Sequence, residues 1–154
     1  MSTGYKKADL FHLPSTTDKV EKFINFIMVA GKKTIARRLF ETTMSEIQWS
    51  WHTDPLLVWE SAVENASPNI MVKSKRIGWA SYAIPMEIKG SRRFFYGAKW
   101  ILEAARWKKW NFSKKLSKEL LEAYTWQWTA VKKKEDTHRI AESNKANAHL
   151  AKYV

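Results

Sequence analysis

The chain has 154 residues, with 27 Lys and Arg against 15 Asp and Glu, for a formal net charge of +12 and a pI near 9.9. That length suits one domain around one core, and a positive excess spread along the whole chain points to a polyanionic partner. With no Cys, disulfides, thiol chemistry and most zinc sites are excluded, and no apolar run is long enough for a transmembrane helix.

Residues 1–16 read as a flexible basic arm in which Tyr5, Lys6 and Lys7 can lie on phosphates. The start has no apolar core of a signal peptide, and it is short and Arg-poor for a transit peptide. A first helix is predicted from near Asp18, with Glu21 three residues on as in a capping box. Val20, Phe23, Ile24, Ile27 and Met28 recur at i, i+3, i+4, i+7 and i+8, one apolar face. Gly31 ends it. Helix two is expected over about Lys33 to Ile47, with Ile35, Leu39, Phe40, Thr43 and Met44 inward and Arg37 and Arg38 outward. Thr53-Asp54-Pro55 opens helix three, with Pro where a helix tolerates it, and the helix stops before Pro68.

Ile70 to Lys89 is the one convincing β segment. Its second half alternates, with Tyr82, Ile84, Met86 and Ile88 on one face, and Gly78 marks the turn. A three- or five-residue loop near Trp79 would pair Val72 with Met86 and Ile70 with Ile88, apolar against apolar. A two-residue loop would set Val72 opposite Pro85, so the odd loop is expected. The packed pairs then sit at the base, while Lys73, Lys75, Arg76 and Trp79 ride towards the tip. A lone two-stranded ribbon is marginal in water, so a basic one with an aromatic tip suits an RNA surface.

Helix four is predicted from near Ser91, with Phe94, Gly97, Ala98, Ile101 and Ala105 as a close-packing face. Helix five spans about Ser113 to Tyr124 around Leu116, Leu120 and Ala123. Helix six spans about Lys132 to Ala148, with an inner stripe of Ile140, Ala141, Asn144 and Ala148. The fold class is therefore mainly α: a single domain of about six helices, with one protruding β-hairpin between helices three and four.

Chemistry-bearing patterns are missing. Gly31-Lys32 lacks the earlier glycine of a phosphate loop, because position 26 is Phe26, and Lys33 follows where Ser or Thr is required. The four His have no metal-ligand spacing, and the acids mostly sit four residues from a Lys or Arg, as ordinary helix support. No enzyme, cofactor or metal site is expected. Instead there are five basic clusters: Lys32-Lys33-Arg37-Arg38, Lys73-Lys75-Arg76, Arg92-Arg93, Arg106-Lys108-Lys109 and Lys132-Lys133-Lys134. They fall mostly at element ends, where long side chains can converge on folded RNA. Among nine Trp, the indoles of Trp79, Trp107, Trp110, Trp126 and Trp128 lie amid basic or polar residues, suited to stacking on bases or filling gaps between partners.

Four stretches, FINFIMVAGKKTIARRLF (23–40), ENASPNIMVKSKRIGWASYAIPMEI (64–88), AKWILEAAR (98–106) and TAVKKKEDTHRIAESNKANAH (129–149), resemble the small-subunit ribosomal protein seven family in its bacterial and organellar branch. They occur in family order at family spacing. The resemblance implies a helical domain that binds and helps fold the head domain of small-subunit rRNA. It places exit-site tRNA and the mRNA exit path nearby, with neighbouring small-subunit proteins beside the hairpin and no homo-oligomer. It implies RNA-facing roles for Lys32, Lys33, Lys73, Lys75, Arg76, Arg92, Arg93, Arg106 and Lys132 to Lys134. His138, Arg139, Asn144, Lys145 and His149 occupy the family's C-terminal helix motif. The chain departs where family glycines are Trp79 and Trp128, in a reduced basic arm, and in its closing Lys152-Tyr153-Val154. The Trp richness points to a mitochondrial member, with bacterial cytoplasm or plastid as the alternative. A competing expectation from another class is a DNA-binding helical regulator using GKKTIARRLFETT, which would need one recognition helix to carry most base contacts.

Overall fold

The structure is a computed structural model and describes residues 18–51, 54–107, 109, 111–126 and 129–153; the arm expected over 1–16 lies outside them. In chain order it has α1 (Asp18–Ile27), α2 (Lys33–Trp51), α3 (Pro55–Ala66), β1 (Ile70–Ile77), β2 (Ala80–Glu87), α4 (Ser91–Trp107), α5 (Phe112–Tyr124), α6 (Thr129–Ser143) and a 3₁₀ helix (Lys145–Tyr153).

Local chemistry sets most of the boundaries. The Asp54 carboxylate accepts the Leu56 N–H at 3.0 Å, satisfying one orphan donor at the start of α3, while Pro55 sits in the first turn where its missing N–H costs nothing. Asn111 does the same for α5 through Ser113 N. Between α1 and α2 the chain reverses through Ala30 and Gly31, both at positive φ. Glu21, expected in a capping box, instead bonds Lys33 at 2.8 Å and Arg37 at 3.0 Å, tying α1 to α2.

The buried faces are largely those that periodicity implies. Val20, Phe23, Ile24 and Ile27 of α1, Phe40, Thr43 and Met44 of α2, and Leu116, Leu120 and Ala123 of α5 are all buried. Ile35 is not; it is 54% exposed, because the buried stripe of α2 runs through Ala36, Phe40, Met44 and Ile47. At the centre Phe23, Phe40 and Trp59 meet edge to face, with ring centroids 5.5–6.0 Å apart, an arrangement the ring quadrupoles favour by about 0.5–1.5 kcal/mol per pair beyond burial. Helix α5 packs against α2, α3 and α4.

The hairpin register differs from the expected one. Ile77 pairs with Ala80, so the loop is the two residues Gly78-Trp79; Val72 stands opposite Pro85, Lys73 opposite Ile84 and Ile70 opposite Glu87. Gly78 adopts φ +62° at the first central position, as a type II′ turn requires, and that turn matches the twist of the strands. Ile84 is fully buried, and the helices that pack on β2 are α6 and the 3₁₀ helix. Its apolar cover comes from them, so its cross-strand neighbour is free to be a lysine.

Helix α6 also ends earlier than expected. It stops at Ser143, and Asn144 turns its side-chain amide back to the Ile140 carbonyl at 2.8 Å. The chain continues as the 3₁₀ helix, whose Asn147 amide donates to Ala83 O of β2 at 3.1 Å. Of the expected inner stripe only Ala141 is buried; Ile140 and Ala148 face out. Two further bonds hold α6, one to the end of α3 and one to the residue before β1. Lys134 Nζ donates to Asn65 O at 2.8 Å, and Asn69 N–H donates to His138 Nε2 at 3.1 Å.

This packing can be tested at two positions. A Cβ on Gly97 would lie 2.7 Å from the Val63 carbonyl and against Ser67 Oγ, so α4 and α3 would have to part. Gly97→Ala should cost about 1–3 kcal/mol by urea unfolding, and adding Ser67→Ala should not restore it, because the carbonyl remains. The second position is His138, whose pKa is held below its usual 6.5 by burial and by the charge of Lys134. Because Nε2 accepts a bond, the fold favours the neutral ring. That contribution is complete above the unfolded value and is lost as pH falls through the lower folded one. Between pH 7.5 and 5.5 the wild type should therefore lose more stability than His138→Gln in urea melts.

Candidate nucleic-acid interface

Beside the base of the hairpin lies a groove of about 660 Å³, lined by Met71, Val72 and Lys73 of β1, by Met86 and the residues after it to Lys89, and by Arg92 and Tyr96 of α4. Sequence periodicity puts Lys73 and Arg92 on different elements 19 residues apart; the fold brings them to one opening. Both are exposed and neither side chain forms an ion pair or hydrogen bond among the described residues. Lys89 pairs loosely with Glu87 at 3.7 Å on a strongly exposed rim, where such a pair contributes little and yields easily to a phosphate. Met71, Met86 and Tyr96 supply an apolar floor. The arrangement can bind a polyanion through charge and accommodate sugar or base edges through apolar contact; it holds no nucleophile or base with an orienting partner. Among the described residues no cluster of His, Asp or Glu could hold a metal ion.

The other expected site residues divide by what already occupies them. Lys32, Arg38 and Lys132 resemble Lys73 and Arg92 in being exposed, with side chains that have no partner among the described residues. Lys33 and Arg37 are tied to Glu21, whose pKa they pull down, Lys33 most strongly. Arg93 pairs with Glu64 and lines a separate cavity with Trp59. Arg106 donates to Phe26 O at 3.1 Å, joining α4 to α1. Arg76 turns onto Gly78 O at 3.4 Å within the tip, and Lys75 is half-buried. Trp79 is 96% exposed at the tip. Lys109 is exposed, and Lys108, Trp110 and Trp128 lie outside the described residues.

The Lys132 to Lys134 run is one cluster in sequence and three environments in space. Lys132 points to solvent, Lys133 bonds Glu103 of α4 at 2.9 Å, and Lys134 is half-buried on Asn65 O. Burial, then the nearby Arg93 charge, lowers the Lys134 pKa. In the C-terminal motif His138 and Asn144 are committed to the internal bonds described above. Arg139 pairs with Asp136 at 3.3 Å, Lys145 with Glu142 at 3.1 Å, and His149 Nδ1 lies 2.7 Å from Ala146 O. Sequence reasoning missed Tyr96, Met71 and Met86 as groove residues, because nothing local distinguishes them from core positions.

A family model for ribosomal protein S7p/S5e matches residues 3–145 of the chain. Small ribosomal subunit protein uS7 of Halorhodospira halophila is 42% identical over 134 residues, covering 86% of each chain. The uS7 proteins of Aromatoleum aromaticum and Thermotoga neapolitana are 44% and 45% identical over 131 residues, covering 84% of each chain. With a match over nearly its whole length, a single helical domain and an unpaired cationic groove at its hairpin, the chain belongs to the ribosomal protein S7p/S5e family.

Proposed function

We propose that the chain is a structural constituent of the small ribosomal subunit, without catalytic activity, that binds the head domain of small-subunit rRNA and helps it fold. The observation that carries this is the groove where Lys73 and Arg92 meet unpaired above an apolar floor. Cations without acidic partners leave a field that a phosphate backbone neutralises with release of counterions. Lys32, Arg38 and Lys132 extend that field beyond the groove. A DNA-binding regulator would concentrate such contacts on one recognition helix, whereas here they lie on α2 and the turn before it, β1, α4 and α6. On this reading the hairpin tip contacts exit-site tRNA, the departing mRNA or a neighbouring small-subunit protein, which the exposure of Trp79 supports. The Trp-rich composition supports a mitochondrial ribosome as the setting, and co-sedimentation with small subunits from mitochondrial or cytoplasmic lysate decides between the two.

Salt dependence tests the RNA contact. If Lys32, Arg38, Lys73, Arg92 and Lys132 each meet a phosphate, affinity for a head-domain rRNA fragment falls roughly 10²- to 10³-fold between about 50 and 200 mM salt. Lys132→Ala should lower the salt slope by about one and leave the urea midpoint unchanged. Lys134→Ala should do the reverse, because its ammonium is bonded inside the fold. A flat salt response would count against RNA as partner. A shortened-tip variant separates tip from fold: replacing residues 76–81 with Asn-Gly keeps Lys75 opposite Tyr82 and should leave a folded, rRNA-binding domain. Its defect should appear only in assembled ribosomes, as altered handling of exit-site tRNA or mRNA; thermal melts of the free domain beside ribosome assays check this.

A further inference from the structure

Trp126 stands just beyond α5 with φ +58°. That left-handed conformation is strained for a bulky side chain and is normally given to Gly or Asn at a helix end. The turn itself therefore gains nothing from an indole. Nor does the core, since the residue is 61% exposed. The ring is nonetheless held in place. Lys134 Nζ lies 5.2 Å from its centroid, and that ammonium is itself anchored on Asn65 O at 2.8 Å. A cation with one fixed bond orients the indole through its ring quadrupole. Against the ring runs a groove of about 300 Å³ lined by Trp126, Val131, Lys132, Glu135 and Arg139. Val131 is buried and forms an apolar wall, Lys132 is unpaired among the described residues, and Arg139 has only the exposed Asp136 pair.

We infer that Trp126 and this groove form a stacking site for one unpaired nucleotide of RNA, rather than a contact for duplex backbone. The base lies on the indole, where stacking needs no particular sequence, and Lys132 and Arg139 take the adjoining phosphates. Glu135 lines the groove as an acidic group; it repels phosphate on its own side and can accept from a base amino group. The inference rests on the proposed RNA binding and goes beyond it by assigning a residue, a mode and a strand preference.

The test is binding of the full chain to a labelled 12-nucleotide oligocytidine and to an RNA duplex of equal length. Trp126→Gly suits the left-handed turn, so it should fold with an unchanged or raised urea midpoint; Trp126→Asn is the second variant for the same reason. Both should weaken single-strand binding roughly 5- to 150-fold and leave duplex binding and the salt slope unchanged, while Trp126→Phe should retain most of the affinity. Single-strand binding by Trp126→Gly equal to wild type overturns the site while the RNA-binding function stands. An equal loss on both RNAs, or a loss seen only in incorporation into subunits, also overturns it, the latter pointing to a protein against the ring. Should the wild type bind neither RNA, the proposed function falls together with the site.

Discussion

A two-stranded ribbon is at best marginally stable by itself in water, and the way this chain supports one organises the rest of the molecule. The hairpin between β1 and β2 is held by its C-terminal neighbours: α6 lies against β1, and the 3₁₀ helix lies against β2. The polar ties are few and specific. Asn69 N–H meets His138, Asn147 meets Ala83 O, and Lys134 reaches Asn65 O just ahead of β1. Buried Ile84 supplies the apolar part. Residues over 60 positions apart thus become one rigid corner, and the cations of β1 are fixed relative to those of α4.

That corner explains how a chain of net charge +12 can fold compactly and still leave charge for a partner. Some cations join elements: Lys33 and Arg37 to Glu21, Lys133 to Glu103, Lys19 to Glu60, Arg93 to Glu64. Exposed pairs of this kind each contribute little to stability, but they lower the self-repulsion that a strongly basic domain carries. Lys32, Arg38, Lys73, Arg92 and Lys132 are among the cations left without a side-chain partner among the described residues. Assembly with a polyanion is then favourable because their repulsion ends on binding.

The helical body has a different logic, that of contact distance. Gly97 lets α4 approach the end of α3 closely enough that any side chain would collide with a backbone carbonyl. The aromatic cluster of Phe23, Phe40 and Trp59 fills the space that α1, α2 and α3 leave between them. Small residues at one interface and large ones at the next let the helices pack closely.

The sequence alone determined what local rules govern. The α1 face, the Asp54-Pro55 start of α3, the small-residue face of α4, the existence of the hairpin and the outward placing of Trp79 follow from periodicity, capping and turn chemistry. The family, too, was legible from four short stretches. Only the tertiary structure decided the pairing register, because Ile84 takes its cover from α6 and the 3₁₀ helix, and cross-strand patterning cannot register a partner 60 residues away. It alone separated Lys132, Lys133 and Lys134, since successive helical residues point about 100° apart and meet solvent, Glu103 and Asn65 in turn. It alone ended α6 at Ser143, where docking onto β2 outweighs continued helix. Charge can be counted in a sequence; which charges remain free depends on the neighbours that folding supplies.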